Sequence, residues 1–462
     1  MRTSLAKWSL LAAAFAATLG FASAQTLTIT PNPAMADESF ALQATGLQPG
    51  EHVTIQATLT DGADQHWASE AEFVADAQGA VDTSAQAPTR GSYKEISGPG
   101  LLWSMRPTDK GVALYQTPRR MLVQPIDFQL LRKDGLALSA TLQQVRRAEG
   151  VRQIRVQGEL HGWLFLPAGS DRHPAVLVVG GSEGGVPVEK AAWLASHGYV
   201  AFALAYFRYE DLPRDLESIP LEYFGSALSW MMQRPEIDPD RIAVMGTSRG
   251  GELALQLGSM YPAIKAVVAY VPANVLYPAC CGGTAVPYAW TWHGQPLAFA
   301  SPRRSSNDEM VRAEIPVENT KGPILMIGAE DDGVWESSRM VEEAAARLKR
   351  DHFPYAVEVL KYPHAGHRAG LPEIIPTWHG EITHPVSGGQ MNFGGSPEGD
   401  AHSSLDAIPK VLAFLQTSLQ PAAPPPTPAS TPAPKQDSGG HWRGFALDFS
   451  GTGGSAIAPP TK

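Results

Sequence analysis

Between about residues 124 and 419, this 462-residue chain alternates short apolar runs with helix-like segments, and that rhythm limits its fold more than any other feature. The runs lie near Gly162 to Leu166, Ala175 to Val179, Tyr199 to Ala205, Ile242 to Met245, Ala266 to Val271, Ile324 to Ile327 and Val357 to Tyr362. They are near-continuously apolar rather than alternating, so both faces of each strand must be covered. Strands of that kind belong in a largely parallel sheet with helices on both sides. Between them, Leu221 to Gln233 carries Tyr223, Phe224, Ala227, Leu228 and Met231 at a helical period. Ahead of residue 124 the pattern is different. Thr26 to Thr30, Phe40 to Ala44 and His52 to Ala57 are short alternating runs punctuated by Pro31-Asn32-Pro33 and Gln48-Pro49-Gly50. They predict an all-β, immunoglobulin-like sandwich over 25–123, followed by an α/β domain over 124–419.

The two ends of the chain read differently from its middle. Arg2 and Lys7, an apolar stretch from Trp8 to Phe21, and Ala22-Ser23-Ala24 form an export signal over 1–24, so the mature protein is expected to start at Gln25, periplasmic or secreted. Losing Arg2 and Lys7 takes the net charge from −10 to −12, which offers no electrostatic footprint for nucleic acid. No later stretch is long and apolar enough for a membrane span. The only cysteines, Cys280 and Cys281, are adjacent, and the reading is two reduced thiols. No Cys/His ligand spacing suggests a metal, and no cofactor is expected. Beyond Leu419 a Pro/Ala/Thr/Gly-rich tail over 420–462 is too poor in apolar residues to pack. Two long irregular stretches interrupt the catalytic half: Pro272 to Gly322, rich in Trp, Tyr and Pro and read as a cap or substrate-binding excursion, and Arg368 to Ala401.

The chemistry starts at Gly246-Thr247-Ser248-Arg249-Gly250, placed directly after the apolar run Ile242 to Met245 and directly before the helix-like stretch Glu252 to Met260. A strand that turns sharply into a helix through G-x-S-x-G is the nucleophile elbow of α/β-hydrolases. The pattern occurs a second time at Gly180 to Gly184, but Pro187 follows too closely for an immediate helix, so that match reads as an open loop. A serine hydroxyl needs a base in hydrogen-bond reach and a group to orient that base, and α/β-hydrolases supply them in the order Ser, Asp or Glu, His. Asp331 and Asp332 follow the run Ile324 to Ile327, and spacing alone does not choose between them. His364 and His367 follow the run ending at Tyr362; His367 is favoured because Gly366 permits a close turn. His379, His384 and His402 are read as surface or loop histidines. The oxyanion donors are expected to be the backbone N–H of Arg249 and a group from the glycine-rich loop, Ser182 ahead of Gly181.

These residues, with the strings GLQPGEHVTIQATLTD (Gly46 to Asp61), GLLWSMRP (Gly100 to Pro107), YFRYEDLP (Tyr206 to Pro213), IPLEYF (Ile219 to Phe224), GTSRGGELAL (Gly246 to Leu255) and DDGVWESS (Asp331 to Ser338), resemble the acyl-CoA thioesterase and bile acid-CoA:amino acid N-acyltransferase family. The resemblance covers about Leu27 to Leu419. It implies a β-sandwich joined to an α/β-hydrolase and a Ser-Asp-His triad that cleaves acyl thioesters through an acyl-enzyme. Carried over, Ser248 is the nucleophile and His367 the base. In the family's D-D-x-x-W string the second aspartate is the triad acid, so Trp335 selects Asp332. Members that conjugate amino acids carry cysteine at the nucleophile, so Ser248 favours hydrolysis. The export signal departs from the family, whose familiar members act inside cells on coenzyme A thioesters. The expected substrate is therefore a small-molecule acyl thioester, with an oxygen ester acted on by an exported carboxylesterase as the alternative. The acyl chain length and the oligomeric state are not legible.

Overall fold

The computed structural model describes residues 24–118, 122–135, 137–301 and 304–420. The export signal and the C-terminal tail fall outside the described residues, except for Ala24 and Gln420 at their margins.

The first half of the fold is built from alternating strands. His52–Thr60 and His66–Val74 pair antiparallel over their full length, and in the first of them Val53, Ile55, Ala57 and Leu59 all point inward. That is the period of two that a sheet with one covered face requires. They sit in a seven-stranded sheet, while Thr26–Thr30, Ala41–Thr45 and Val81–Asp82 form a separate three-stranded one. Leu27, Ile29 and Leu42 from the smaller sheet share one core with Ile55, Phe73, Phe128 and Leu142 from the larger.

The expected boundary at residue 123 needs correction. Val123–Leu131 and Ala137–Val145 pair with each other, and the former also pairs with His52–Thr60, so the N-terminal sheet runs on to Val145. In Val123–Leu131 the residues Gln124, Ile126, Phe128 and Leu130 are buried while their neighbours face outward, so this strand continues the earlier alternation. The change of rhythm belongs near residue 150.

The second half is built around an eight-stranded sheet: β1 (Arg152–Val156), β2 (His161–Leu166), β3 (His173–Val179), β4 (Val200–Ala205), β5 (Ile237–Thr247), β6 (Ile264–Tyr270), β7 (Ile324–Ala329) and β8 (Val357–Tyr362). Their order is β1-β2-β4-β3-β5-β6-β7-β8, and every neighbour pair from β4 onward is parallel. This is an α/β-hydrolase sheet, with the reversal of order at β3 and β4 placing the chain's loops over the ends of β3, β5, β7 and β8. Along the central strands the side chains split cleanly. Leu177, Val179, Phe202, Leu204 and Val244 pack against α2 (Glu222–Met232), α3 (Arg249–Met260) and α4 (Ser337–Arg350). Val176, Val178, Ala201, Ala203, Ala243 and Met245 pack against α1 (Val188–Ser196) and α5 (Pro397–Ser418). The edge strand β1, Arg-Gln-Ile-Arg-Val, is mostly exposed, which is why its sequence carries no apolar run.

Both irregular stretches are tied into the fold. Residues 272–322 carry two short strands and a seven-residue helix, Asn307–Ala313, opened by a Ser306/Glu309 capping box, and they bury Trp290 beside Phe224 and Tyr206. Within this stretch Cys280 and Cys281, expected as free thiols, are joined to one another in a disulfide, with Cys280 held in a bridge to Leu216 and the two Cα atoms 3.1 Å apart. Residues 368–401 send Ile374 and Ile375 into the N-terminal core. Among the described residues no helix is long and apolar enough to cross a membrane.

Candidate active site

β5 ends at Thr247 and α3 begins at Arg249, leaving Ser248 alone in the turn with φ 58° and ψ −122°. Positive φ is uncommon outside glycine, and a residue held there stores strain that the surrounding structure must over-determine. The surroundings do so. A Cβ on Gly246 would stand 1.9 Å from the Gly250 carbonyl oxygen, and a Cβ on Gly250 would stand 2.3 Å from that of Gly180. Both glycines are therefore dictated by backbone passing through the side-chain space. The Ser248 N–H donates to the Tyr270 carbonyl at 2.9 Å, tying the elbow to the neighbouring strand β6.

The second G-x-S-x-G lies against the first. A Cβ on Gly181 would come 3.4 Å from Ser248 Cβ. Gly181 donates its N–H to the Glu183 carboxylate at 3.1 Å, whereas the Ser182 N–H has no acceptor among the described residues. The Arg249 N–H opens the first turn of α3, where N–H groups lack intrahelical partners and the helix dipole favours negative charge. The Arg249 side chain turns away: its guanidinium donates to the Pro278 and Tyr277 carbonyls at 2.8 and 3.1 Å and its Nε lies 3.0 Å from Glu252, a carboxylate whose burial raises its pKa. That buried pair pins the 272–322 stretch to the base of the elbow.

The aspartate and histidine alternatives separate by burial. Asp331 meets His364 at 3.3 Å, but their side chains are 55% and 80% exposed, a solvated surface pair. Asp332 and His367 are 1% and 7% exposed. His367 Nδ1 stands 2.9 Å from each carboxylate oxygen of Asp332, and Nε2 stands 2.8 Å from Ser248 Oγ. Because Nδ1 faces a carboxylate it carries the proton, and Nε2 is left to accept from the serine hydroxyl. Asp332 is itself held: Oδ1 accepts from the N–H groups of Val334 and Trp335 at 2.9 and 3.2 Å, and Oδ2 from Ser337 Oγ at 2.6 Å.

The imidazole of His367 is also packed on both sides. Trp335 presents its ring edge-on at 5.3 Å while its Nε1 donates to the Val271 carbonyl, and Phe393 lies 5.9 Å away on another side. The His367 N–H donates to the Phe393 carbonyl at 2.7 Å. Gly366 is required here for a different close approach than the sheet top: its Cβ would stand 2.3 Å from the Gly394 carbonyl oxygen. Its N–H donates at 2.7 Å to Asp400, a carboxylate that burial pushes up to about 6 against the opposing effects of that bond and Arg368. Behind the Gly181 loop lies a cavity of about 230 Å³ lined by Lys190, Thr247, Arg368 and Glu373 among others. Lys190, bonded to Thr247 and over the Tyr270 ring, is lowered to about 8 by burial.

Comparison with known proteins agrees with this architecture. A family model for the acyl-CoA thioester hydrolase/BAAT N-terminal region matches residues 37–158, and one for the BAAT/acyl-CoA thioester hydrolase C terminal matches 219–281 and 296–421. Acyl-coenzyme A thioesterase 6 of Mus musculus is 28% identical over 86% of this chain and 97% of its own. Bile acid-CoA:amino acid N-acyltransferase of Homo sapiens is 31% identical over 86% and 98%. Acyl-coenzyme A amino acid N-acyltransferase 1 of Mus musculus is 32% identical over 85% and 97%. The chain belongs to the acyl-CoA thioester hydrolase/BAAT family. It is an acyl-CoA thioester hydrolase-like enzyme of that family. The N-terminal match ends at 158, in keeping with the sheet that runs to Val145.

Within this family member the structure brings Ser248, Asp332, His367, the Arg249 N–H and Ser182 to one end of the sheet. The part played by four neighbours escaped the sequence reading. Ser337 stands in the string DDGVWESS but only its bond to Asp332 shows its use. Trp335, read as an anchor in the sequence, also walls the imidazole. Asp400 acts from the start of α5, and no spacing signal links it to Gly366. His384, read as a loop histidine, is 5% exposed and lies 3.0 Å from Ser182 Oγ.

Proposed function

We propose that the protein is an exported serine hydrolase of acyl thioesters, working through a Ser248–His367–Asp332 triad and an acyl-enzyme, in the periplasm or outside the cell. The observation that carries this reading is His367 spanning Ser248 Oγ at 2.8 Å and Asp332 at 2.9 Å while shielded from solvent. In the first half-reaction Ser248 Oγ attacks the thioester carbonyl carbon as its proton passes to His367 Nε2. Asp332, accepting from Nδ1–H, stabilises the imidazolium. The oxyanion of the tetrahedral intermediate falls to the Arg249 N–H and Ser182. Its collapse breaks the C–S bond, and His367 returns the proton to the departing sulfur. With an ordinary thiol pKa of about 8.5, that sulfur is a good leaving group, so the site need not stabilise it further. Water then attacks the Ser248 ester, again with His367 as base, releasing the acid and restoring the serine.

The curated relatives include both thioesterases and N-acyltransferases by name, and a serine at the nucleophile position supports water as acceptor here. Release of free thiol from acyl-CoA substrates of graded chain length, by the protein starting at Gln25, tests the reading. The expected result is turnover abolished by Ser248→Ala. Thiol release no higher than that of the variant, together with rapid hydrolysis of oxygen esters, would replace it with an exported carboxylesterase. Recovery of the protein starting at Gln25 from a bacterial periplasm or medium is the matching expectation for export; retention of an N-terminus at Met1 would overturn it.

A further inference from the structure

His384 has no place in the triad, yet it is a buried imidazole whose two nitrogens both have assigned work. Nδ1 receives the backbone N–H groups of Val386 and Ser387 at 3.2 and 3.1 Å. A nitrogen facing two donors must offer its lone pair, so it carries no proton. The turn that supplies those donors is closed by its own backbone bonds, His384 N–H to Gly389 and Gly388 N–H to His384, at 2.8 and 2.9 Å. The proton of the neutral ring therefore resides on Nε2, and Nε2 stands 3.0 Å from Ser182 Oγ. The ring is kept neutral by desolvation, aided by Arg208 and opposed by Glu183. Ser182 Oγ is thus an acceptor on the His384 side. Its own hydrogen is left for another partner, and the loop it belongs to abuts Ser248.

We infer that His384 is a positioning residue for oxyanion stabilisation: its Nε2–H fixes Ser182 Oγ as an acceptor and so directs the Ser182 hydroxyl hydrogen toward the oxyanion formed at Ser248. The inference rests on the reading of Ser182 as an oxyanion donor and adds to it the source of that donor's orientation. A freely rotating hydroxyl spends much of its time pointing elsewhere, and a preorganised donor costs no reorganisation when charge develops. The 384–389 turn, part of the stretch after His367, is then a component of the site rather than a surface loop.

The test is a double-mutant cycle on the full mature chain with p-nitrophenyl butyrate, a substrate independent of any thiol carrier. Ser182→Ala should lower kcat by roughly a hundredfold, the usual order for losing one oxyanion donor. His384→Met should lower kcat about tenfold at unchanged KM, the scale of one misdirected hydrogen bond. His384→Gln, which keeps an N–H near the Nε2 position, should recover most of that loss. Added to Ser182→Ala, His384→Met should cause no further loss, because it has nothing left to orient. Equal losses from His384→Met in both backgrounds, or no loss in either while Ser182→Ala is impaired, would overturn the inference alone. Full kcat in Ser182→Ala would leave the Ser182 backbone N–H as the loop's oxyanion donor, remove the hydroxyl from that role, and overturn this inference. If His384→Met does not fold, His384→Asn, whose shorter amide falls short of Ser182, takes its place in the same cycle.

Discussion

Replacing Asp332 by asparagine changes one atom and should nearly abolish activity while leaving the fold intact. Oδ1 of Asp332 faces two backbone donors, the N–H groups of Val334 and Trp335. The asparagine carbonyl oxygen must occupy that side, because an NH2 group there would oppose both. The amide NH2 then falls where Oδ2 was, facing Ser337 Oγ at 2.6 Å and His367 Nδ1 at 2.9 Å in the wild-type protein. Ser337 can adapt, since its hydroxyl also has the Ala329 carbonyl at 3.4 Å to donate to. His367 Nδ1 lies 2.9 Å from the Oδ1 site as well, but the new NH2 stands equally close and opposes the Nδ1–H, and the tautomer that relieves this opposition carries the ring proton on Nε2, against Ser248. The base then arrives already protonated. Serine hydrolases with this change lose about ten-thousandfold in kcat, which at 1.36 kcal/mol per tenfold is about 5.4 kcal/mol of transition-state stabilisation. Folding stability should fall by only about 1–2 kcal/mol, the difference between charge-assisted and neutral hydrogen bonds. Steady-state hydrolysis of a nitrophenyl ester and thermal unfolding of the same preparation measure the two numbers. A kcat loss under tenfold, or one that tracks a collapse in Tm, would refute the assignment of Asp332 as the residue that sets the tautomer of His367.

Three further outcomes follow from the geometry. Asp331→Ala and His364→Ala remove an exposed pair and should each leave kcat within twofold; a large loss from either would reopen the choice between the two aspartates or the two histidines. Gly250→Ala places a Cβ 2.3 Å from the Gly180 carbonyl oxygen and should destabilise by about 3 kcal/mol or more, read as a fall in Tm or as insoluble protein. Asp400, ordinarily 3.8, is raised to about 6 in the folded protein, so its protonated form suits the fold and its contribution to stability, complete below pH 4, is lost as pH rises through about 6. Tm measured from pH 4.5 to 7.5 should therefore decline less in Asp400→Asn than in wild type, and parallel curves would contradict the burial argument.

The parts of the molecule that were legible in sequence share a physical cause. The central strands are buried on both faces, so Ala175 to Val179 and Ile242 to Met245 announce themselves as unbroken apolar runs, and the elbow follows because backbone contact at Gly246 and Gly250 forbids any side chain. What escaped was set by partners distant in sequence. β1 sits at the sheet edge, where Arg152, Gln153 and Arg155 face solvent and no apolar run is needed. Val123–Leu131 alternates like the strands before it but joins them only through long-range pairing with His52–Thr60. His384 reaches Ser182 across 202 residues, a contact made by a turn whose sequence, His-Pro-Val-Ser-Gly-Gly, looks like any surface loop. Asp331 and Asp332 are adjacent and chemically identical, so spacing leaves them tied; the family string pointed to Asp332, and burial, 55% against 1%, separates the two in the structure.

The central claim, that acyl transfer passes through Ser248, is tested most directly by trapping the intermediate. The protein starting at Gln25 is mixed with an acyl-CoA or a nitrophenyl ester, quenched in acid within the first turnovers, digested and analysed by mass spectrometry. The account predicts an acyl mass increment on the peptide containing Ser248 and its disappearance in Ser248→Ala. Turnover by the wild-type protein with that peptide never modified, or turnover that survives Ser248→Ala, would contradict it.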